Sequence, residues 1–310
     1  MDKIIDLHIH TTVSDGILTP KEVIDTAVKN NVSVLSIADH DTIDAYTDEL
    51  FAYAKEKNIE LIPAVEISTK YNKRGMHVLG YNYDLNNQEF RGRLDKLKNA
   101  RHNYLYDVAT KLESLGYVVN VAELDKIEAV TKAHIALDVI GNAQNEKILL
   151  DNFGHIPSKG EFIETIMNEG CPAYAKKESI SPKEAADLIR AAGGKVVLAH
   201  PVAYKYEDGV TEEDIENVVR EMGIDAIEAN YVYVDRYDKK INECALWNEF
   251  AKKHNLLATI GSDFHSEDGL RPVIGLVGED VSLTEEEINK ILKTYIEKYY
   301  DDADDKQTWF

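Results

Sequence analysis

Near the start of the sequence, Asp6-Leu7-His8-Ile9-His10 puts a carboxylate and two imidazoles at alternate positions, and Asp15 follows His10 by five residues. On an extended strand, residues i and i+2 share a face. His8 and His10 therefore point the same way as Asp6, while Ile5, Leu7 and Ile9 point the other. That is the period of a half-buried strand. A face of Asp, His and His makes a poor core, but it begins a metal site, because imidazole and carboxylate are typical ligands of catalytic ions. Alone, the pattern is matched equally well by two surface histidines that happen to alternate. The rest of the chain decides between the two.

The same chemistry recurs at other apolar runs. VSVLSIA is followed by Asp39-His40-Asp41, Glu66 sits among apolar neighbours in LIPAVEIST, and His77 opens HVLGYNYD. KVVLA is followed by His200-Pro201, and LLATIG by Ser262-Asp263-Phe264-His265. One histidine after a strand is usually a satisfied polar residue, and one aspartate there is usually a helix cap. The repetition yields nine candidate ligands: His8, His10, Asp15, His40, Glu66, His77, His200, Asp263 and His265. They use six of the chain's ten histidines. A set without thiolate suits Mn, Fe or Zn bound for hydrolysis rather than a structural zinc knot. Nine ligands exceed the needs of one ion. Two or three divalent ions sharing a bridging carboxylate would use them.

The elements that must position these residues are legible. Strand candidates lie at 3–9, 32–38, 60–67, 77–82, 195–199, 225–230 and 257–261. Thr19-Pro20-Lys21-Glu22 and Ser181-Pro182-Lys183-Glu184 each read as an N-cap, a proline at the first helical position and a capping-box glutamate. Gly193-Gly194 ends the second of these helices. Thr211, followed by three acidic residues, starts another. LTPKEVIDTAVKNNVSVLSIADH and ISPKEAADLIRAAGGKVVLAH repeat one plan: cap, helix, strand, histidine. This βα alternation predicts an α/β fold, with a parallel barrel favoured and its chemistry at the C-terminal strand ends. Residues 1–84 and 171–290 form the expected barrel. Residues 85–170 lose the strand rhythm and read as a helical insertion. Residues 291–310 read as a helix end and an acidic tail.

Composition bounds the function. With 310 residues, 44% of them hydrophobic, the chain can bury a sizeable core. No apolar run reaches membrane-spanning length. The N-terminus enters a strand at once, without the features of a signal peptide. Cys171 and Cys244 are the only cysteines, which argues against a disulfide framework and fits a reducing cytoplasm. The net charge of −21 argues against an extended duplex or a long polyanion held by bulk attraction. Charge is nearly balanced over residues 85–170, which makes the insertion the better source of a phosphate grip.

Taken together, HIH, Asp15, ADHD, the glutamate of AVEIS, HVLGY, LAHP and GSDFH resemble the polymerase and histidinol phosphatase (PHP) family, from about residue 3 to 275. The resemblance implies a distorted seven-stranded (β/α) TIM-like barrel with three metals. The first would take His8, His10, Glu66 and Asp263; the second Glu66, His77 and His200; the third Asp15, His40 and His265. His77 is awkward. A regular hairpin centred on residues 72–75 would pair it with about Lys70 and leave Glu66 about 13 Å along the strand.

The insertion resembles that of small bacterial phosphoesterases of this family. Those enzymes remove the 3′-phosphate from nucleoside 3′,5′-bisphosphates, and some degrade short 5′-phosphorylated RNA. The resemblance implies phosphate binding by Arg101, Lys132 and His134, although Lys132-Ala133-His134 replaces a frequent Arg-Pro-His. Arg271 is a further candidate. The implied chemistry is attack on phosphorus by a metal-activated hydroxide, with Glu66 and Asp263 at the metals and His134 available as proton donor. Alternatives are a histidinol-phosphate phosphatase with the same metals, and a metal-holding scaffold without activity.

Overall fold

The computed structural model describes residues 4–277, apart from residues 73, 128–129, 177–178, 236, 268 and 270–271 and the side chains of Arg101 and His102. The chain divides into two units, Met1–Gly92 with Ile180–Phe310, and Arg93–Ser179. The expected tail at 291–310 lies outside the described residues.

The first unit carries the sheets. Its strands are β1 (Ile4–Ile9), β2 (Val32–Ile37), β3 (Glu60–Leu61), β4 (Ala64–Tyr71), β5 (Arg74–Tyr81), β6 (Lys195–Leu198), β7 (Ala226–Asn230), β8 (Val232–Val234), β9 (Lys240–Asn242) and β10 (Leu257–Ile260). One sheet has the order β1-β2-β3, a second β10-β7-β6-β5-β4, and β8-β9 form a hairpin. The α/β sheet architecture is as expected, but no closed barrel is found among the described residues. Two features depart from a regular barrel. β5 runs antiparallel to both β4 and β6. The three- and five-stranded sheets meet through single bridges, Ile9 with Phe264 and His40 with Glu66, rather than through ladders.

The expected strand at 60–67 is split. Pro63 has no N–H to give a ladder, and the Tyr46 hydroxyl occupies the gap. It donates to Ile37 O at 2.6 Å and accepts from Ala64 N–H at 2.8 Å, stitching β2 to β4. One apolar core draws on both sheets, with Leu7, Val34, Leu79, Val197, Ala226 and Ile260 among its members. Each of its buried Leu, Ile and Val side chains contributes roughly 1.5–3 kcal/mol by leaving water. β1 departs from the half-buried expectation: Asp6, His8 and His10 are as fully buried as Leu7 and Ile9. Parallel strands are covered on both faces, so the polar face of β1 has to find its partners inside the protein.

The helices are α1 (Pro20–Lys29), α2 (Asp48–Glu56), α3 (Gln88–Ser114), α4 (Val121–Leu124), α5 (Lys132–Gly141), α6 (Glu146–Phe153), α7 (Lys159–Phe162), α8 (Pro182–Ala191), α9 (Pro201–Glu207), α10 (Glu212–Met222) and α11 (Cys244–Lys253). Reciprocal capping boxes start α1 (Thr19, Glu22), α8 (Ser181, Glu184) and α10 (Thr211, Asp214). Each cap is worth about 1 kcal/mol. The second unit is helical, with its own core of Leu105, Val108, Leu112, Ile135, Val139, Leu149 and Phe162. No helix of the described residues is long and apolar enough to cross a membrane.

Candidate metal centre

β1 and the segment after β10 set the first ligands side by side. Asp263 N–H donates to His8 O at 2.8 Å, and His10 N–H donates to Phe264 O at 2.9 Å. Asp263 adopts a left-handed φ of 52°. Strain of this kind costs about 1–3 kcal/mol and persists only where surrounding contacts enforce it. His8 Nε2 and His10 Nε2 lie 3.1 Å apart, with Asp263 Oδ1 at 3.4 and 3.2 Å.

Glu66 is the hub. Its backbone is tied to the end of β2: Glu66 N–H donates to Asp39 O, and Asp41 N–H donates to Glu66 O. Oε2 of Glu66 lies 3.0 Å from His40 Nδ1, 3.3 Å from His10 Nε2 and 3.5 Å from His8 Nε2. Oε1 lies 3.0 Å from both His77 Nδ1 and His200 Nε2. One buried carboxylate thus divides its two oxygens between two sets of imidazoles. The awkward register of His77 is corrected here. Tyr71 pairs with Arg74, so the turn is two residues shorter than expected and His77 faces Ser68. Ser68 and Glu66 share a face of β4. Asn72 has a positive φ of 48°, the conformation that two-residue hairpin turns require.

The loop after β1 brings in the third set. Asp39 accepts from Thr11 N–H at 2.8 Å, from the Thr11 hydroxyl at 2.7 Å and from the Ser14 hydroxyl at 2.6 Å. The turn so fixed presents Asp15, whose oxygens lie 3.4 Å from His10 Nδ1, 3.7 Å from His40 Nε2 and 3.4 Å from His265 Nε2. A Cβ on Gly16 would stand 2.4 Å from His10 O, so the loop has no space for a larger residue.

Three compact groups result: His8, His10, Glu66 and Asp263; His40, Glu66 and His77; His10, Asp15, His40 and His265. His200 is in none of them and joins through Glu66. His10 and His40 each belong to two, because each imidazole turns one nitrogen to Glu66 and the other to Asp15.

The electrostatics fit cations. Burial pushes Glu66 up, but His77, His40 and His8 outweigh it and hold the carboxyl well below the usual range. Asp263 and Asp15 are lowered likewise against their burial, Asp263 chiefly by His8 and His265, Asp15 chiefly by His40 and His10. His8 and His10 are raised by their carboxylates despite burial, whereas burial wins at His40 and lowers it. Glu66 Oε2, Asp263 Oδ1, His40 Nδ1 and His77 Nδ1 are buried without a hydrogen-bond partner. The approaches of His40 Nδ1 to Glu66 Oε2, of His77 Nδ1 to Glu66 Oε1 and of Asp263 Oδ1 to His10 Nε2, at 3.0, 3.0 and 3.2 Å, therefore lack hydrogen-bond geometry. Convergent lone pairs that do not satisfy one another are the donor set a divalent ion requires. A cavity of about 220 Å³ opens onto the group, lined by His40, Glu66, His77, His200, Asp263 and His265 together with Tyr204, Tyr231 and Tyr233.

Arg101, Lys132 and His134 belong to the helical unit. Arg101 lies on α3. Lys132 opens α5, and its Nζ donates to Asn168 Oδ1 at 2.9 Å. His134 completes the capping box of α5, its Nδ1 accepting from Thr131 N–H at 3.2 Å. Arg271 lies outside the described residues.

Sequence reasoning missed Glu228 and assigned no supporting role to Asp6 or Tyr231. Glu228 on β7 is buried, faces His8 Nδ1 at 3.1 Å and accepts His200 N–H at 2.9 Å. Its signal was available, since an acid inside the apolar run DAIEAN matches Glu66 inside AVEI. Asp6 accepts from Ser262 N–H and Gly275 N–H at 2.9 Å each, while burial pushes its carboxyl up to about 6. The Tyr231 hydroxyl donates to Asp263 Oδ2 at 3.3 Å.

A family profile for the PHP domain matches residues 6–196. A relative from Haemophilus influenzae, named 5′-3′ exoribonuclease, is 33% identical over 268 residues, 86% of this chain and 91% of that protein. The 3′,5′-nucleoside bisphosphate phosphatase of Chromobacterium violaceum is 26% identical over 286 residues, 91% and 92% of the two chains. A solved structure from Bifidobacterium adolescentis, described as a metal-dependent phosphoesterase, has the same fold, with a TM-score of 0.66 at 22% identity and coverage of 94% and 96%. On the extent of the profile match and the relative at 33% identity, the chain belongs to the PHP domain family.

Proposed function

We propose that this protein hydrolyses the ester at the 3′-oxygen of a 5′-phosphorylated nucleotide, with nucleoside 3′,5′-bisphosphates as the first substrate to test. Its class is that of a metal-dependent phosphoesterase. The observation that carries the reading is Glu66, a buried carboxylate whose two oxygens serve two sets of imidazoles. His8, His10, Glu66 and Asp263 would hold one ion, Glu66, His77 and His200 a second, and Asp15, His40 and His265 a third. This ligand chemistry suits Mn, Fe or Zn. When bound, such ions supply an activated water and neutralise charge on the phosphoryl oxygens.

The chain's own residues supply position and protons. Arg101 and Lys132 are proposed to grip the nucleotide's phosphate, Arg by a forked pair of hydrogen bonds and Lys as a point charge. Arg271 is proposed for the same task. His134 accepts a backbone N–H at Nδ1, which leaves the proton of its neutral form on Nε2. Its Nε2–H can therefore donate a hydrogen bond to the departing 3′-oxygen, and in the imidazolium form it can pass the proton itself. Residues 85–170 would act as the substrate cap. The two sheets are proposed to form one distorted seven-stranded barrel, a reading supported by the bridges Ile9 to Phe264 and His40 to Glu66. A cytoplasmic location is inferred from two cysteines that are both free.

A second reading, 5′→3′ attack on short 5′-phosphorylated RNA, is favoured by the name of the 33% identical relative. Both readings break the bond between phosphorus and the 3′-oxygen and release a 5′-mononucleotide. The test is to give Mn²⁺-loaded protein adenosine 3′,5′-bisphosphate and, separately, a 5′-phosphorylated oligoribonucleotide. Phosphate with 5′-AMP from the first supports the bisphosphate reading. Mononucleotides from the second alone favour RNA ends. Turnover of neither by metal-loaded protein overturns both.

A further inference from the structure

We propose that Glu228 is a positioning residue that couples two metal positions by holding a ligand of each. The inference rests on the metal reading above. Glu228 is 1% exposed on β7. Its oxygens lie 3.1 and 3.2 Å from His8 Nδ1, and Oε2 also accepts the backbone N–H of His200 at 2.9 Å. His8 serves the group around Asp263, and His200 serves the other oxygen of Glu66. Glu228 thus reaches the back of both positions while touching neither.

The contacts fix which nitrogen of His8 does the work. A carboxylate at Nδ1 keeps the proton there and turns Nε2 to the cluster. Nε2 is indeed the nitrogen that lies near His10, Asp263 and Glu66. The third side of the pair is closed by Gly261, where a Cβ would stand 2.3 Å from both Glu228 Oε1 and His8 Cβ. His8 and Glu228 are therefore packed together with no space for a side chain between them and the chain.

Glutamine is an informative replacement. It keeps the shape of Glu228 but presents one acceptor and one donor. With the amide oxygen in place of Oε1, His200 N–H loses its acceptor; with it in place of Oε2, one oxygen must serve both N–H groups while an NH₂ group stands against His8 Nδ1–H. A lost acceptor or a buried donor set against a donor is costly, so the two ligands are held less firmly either way.

The experiment is a Mn²⁺ titration of chelator-treated full-length protein, wild type and Glu228→Gln, followed by calorimetry and by elemental analysis after dialysis. The expected result is a loss of affinity of about 10- to 100-fold at the positions that use His8 and His200. The position built from Asp15, His40 and His265 keeps its wild-type affinity. Wild-type affinity at every position in Glu228→Gln overturns the proposal, even if the metal-free variant is less stable. Should the variant not fold, ¹⁵N-histidine NMR of the Zn²⁺-loaded wild type decides. A His8 protonated at Nδ1 with metal-shifted Nε2 supports the proposal, and the reverse tautomer overturns it. A wild type that takes up no metal overturns the parent reading, a result distinct from equal loading of both proteins.

Discussion

The two units treat buried polar groups differently. In the helical unit, Asn145 is fully buried and satisfied. It accepts from Val118 N–H at 2.7 Å and donates to Val118 O at 2.8 Å and Val139 O at 2.9 Å. In the sheet-bearing unit, Glu66 Oε2, Asp263 Oδ1 and the Nδ1 atoms of His40 and His77 are buried with no hydrogen-bond partner. An unmet buried polar group costs about 1–3 kcal/mol. A fold keeps several such groups within one cluster of imidazoles and carboxylates only if something else completes them. Satisfied polar burial holds architecture together; convergent unsatisfied burial marks a place for a ligand.

The sharpest way to break this comparison is Glu66→Gln. Losing one charged oxygen from the hub should empty two metal positions together and lower phosphoester hydrolysis by more than about 100-fold, the upper range for a residue that only supports a ligand. Metal content by elemental analysis and phosphate release are the readouts. Full metal content with full rate would show that Glu66 bridges nothing.

Asn145→Ala tests the other side. It strands one N–H and two carbonyls in the helical core, so stability to denaturant should fall by roughly 2–4 kcal/mol. Metal stoichiometry at a temperature where the variant is folded should not change. A variant that lost metal along with stability would erase the distinction between the two kinds of burial.

Much of this site was legible because strand ends project from the sheets in a fixed sense. The residues after β2, β6 and β10 needed only the βα rhythm to be placed. His77 was misplaced because a hairpin's register depends on turn length, and nothing in NKRG fixes that length until Asn72 is seen at positive φ. A shift of two residues preserves the face and moves His77 to within reach of Glu66. Glu228 lies inside an apolar strand as Glu66 does, but that signal was read only at Glu66. The split at Pro63 and the short hairpin of β8 and β9 were missed because two- and three-residue strands carry no readable period.

The smallest expected effect comes from an apparent exception. In the helical unit, the Tyr104 hydroxyl is buried with no partner among the described residues, and burial pushes its ionisation up. Tyr174 is a titratable neighbour that adds to the effect of burial, but among the described residues no metal-ligating group forms around Tyr104 as the imidazoles gather around Glu66. If convergence, rather than lack of partners alone, marks a functional atom, Tyr104 is ordinary packing. Tyr104→Phe should then leave the rate and the metal content unchanged. Stability should stay the same or rise by up to about 1 kcal/mol, since the aromatic ring is kept and an unmet hydroxyl removed. Thermal unfolding beside a steady-state assay reads both. A fall in rate without a fall in stability would mean that the hydroxyl meets substrate, and that one unmet buried group suffices to mark a site.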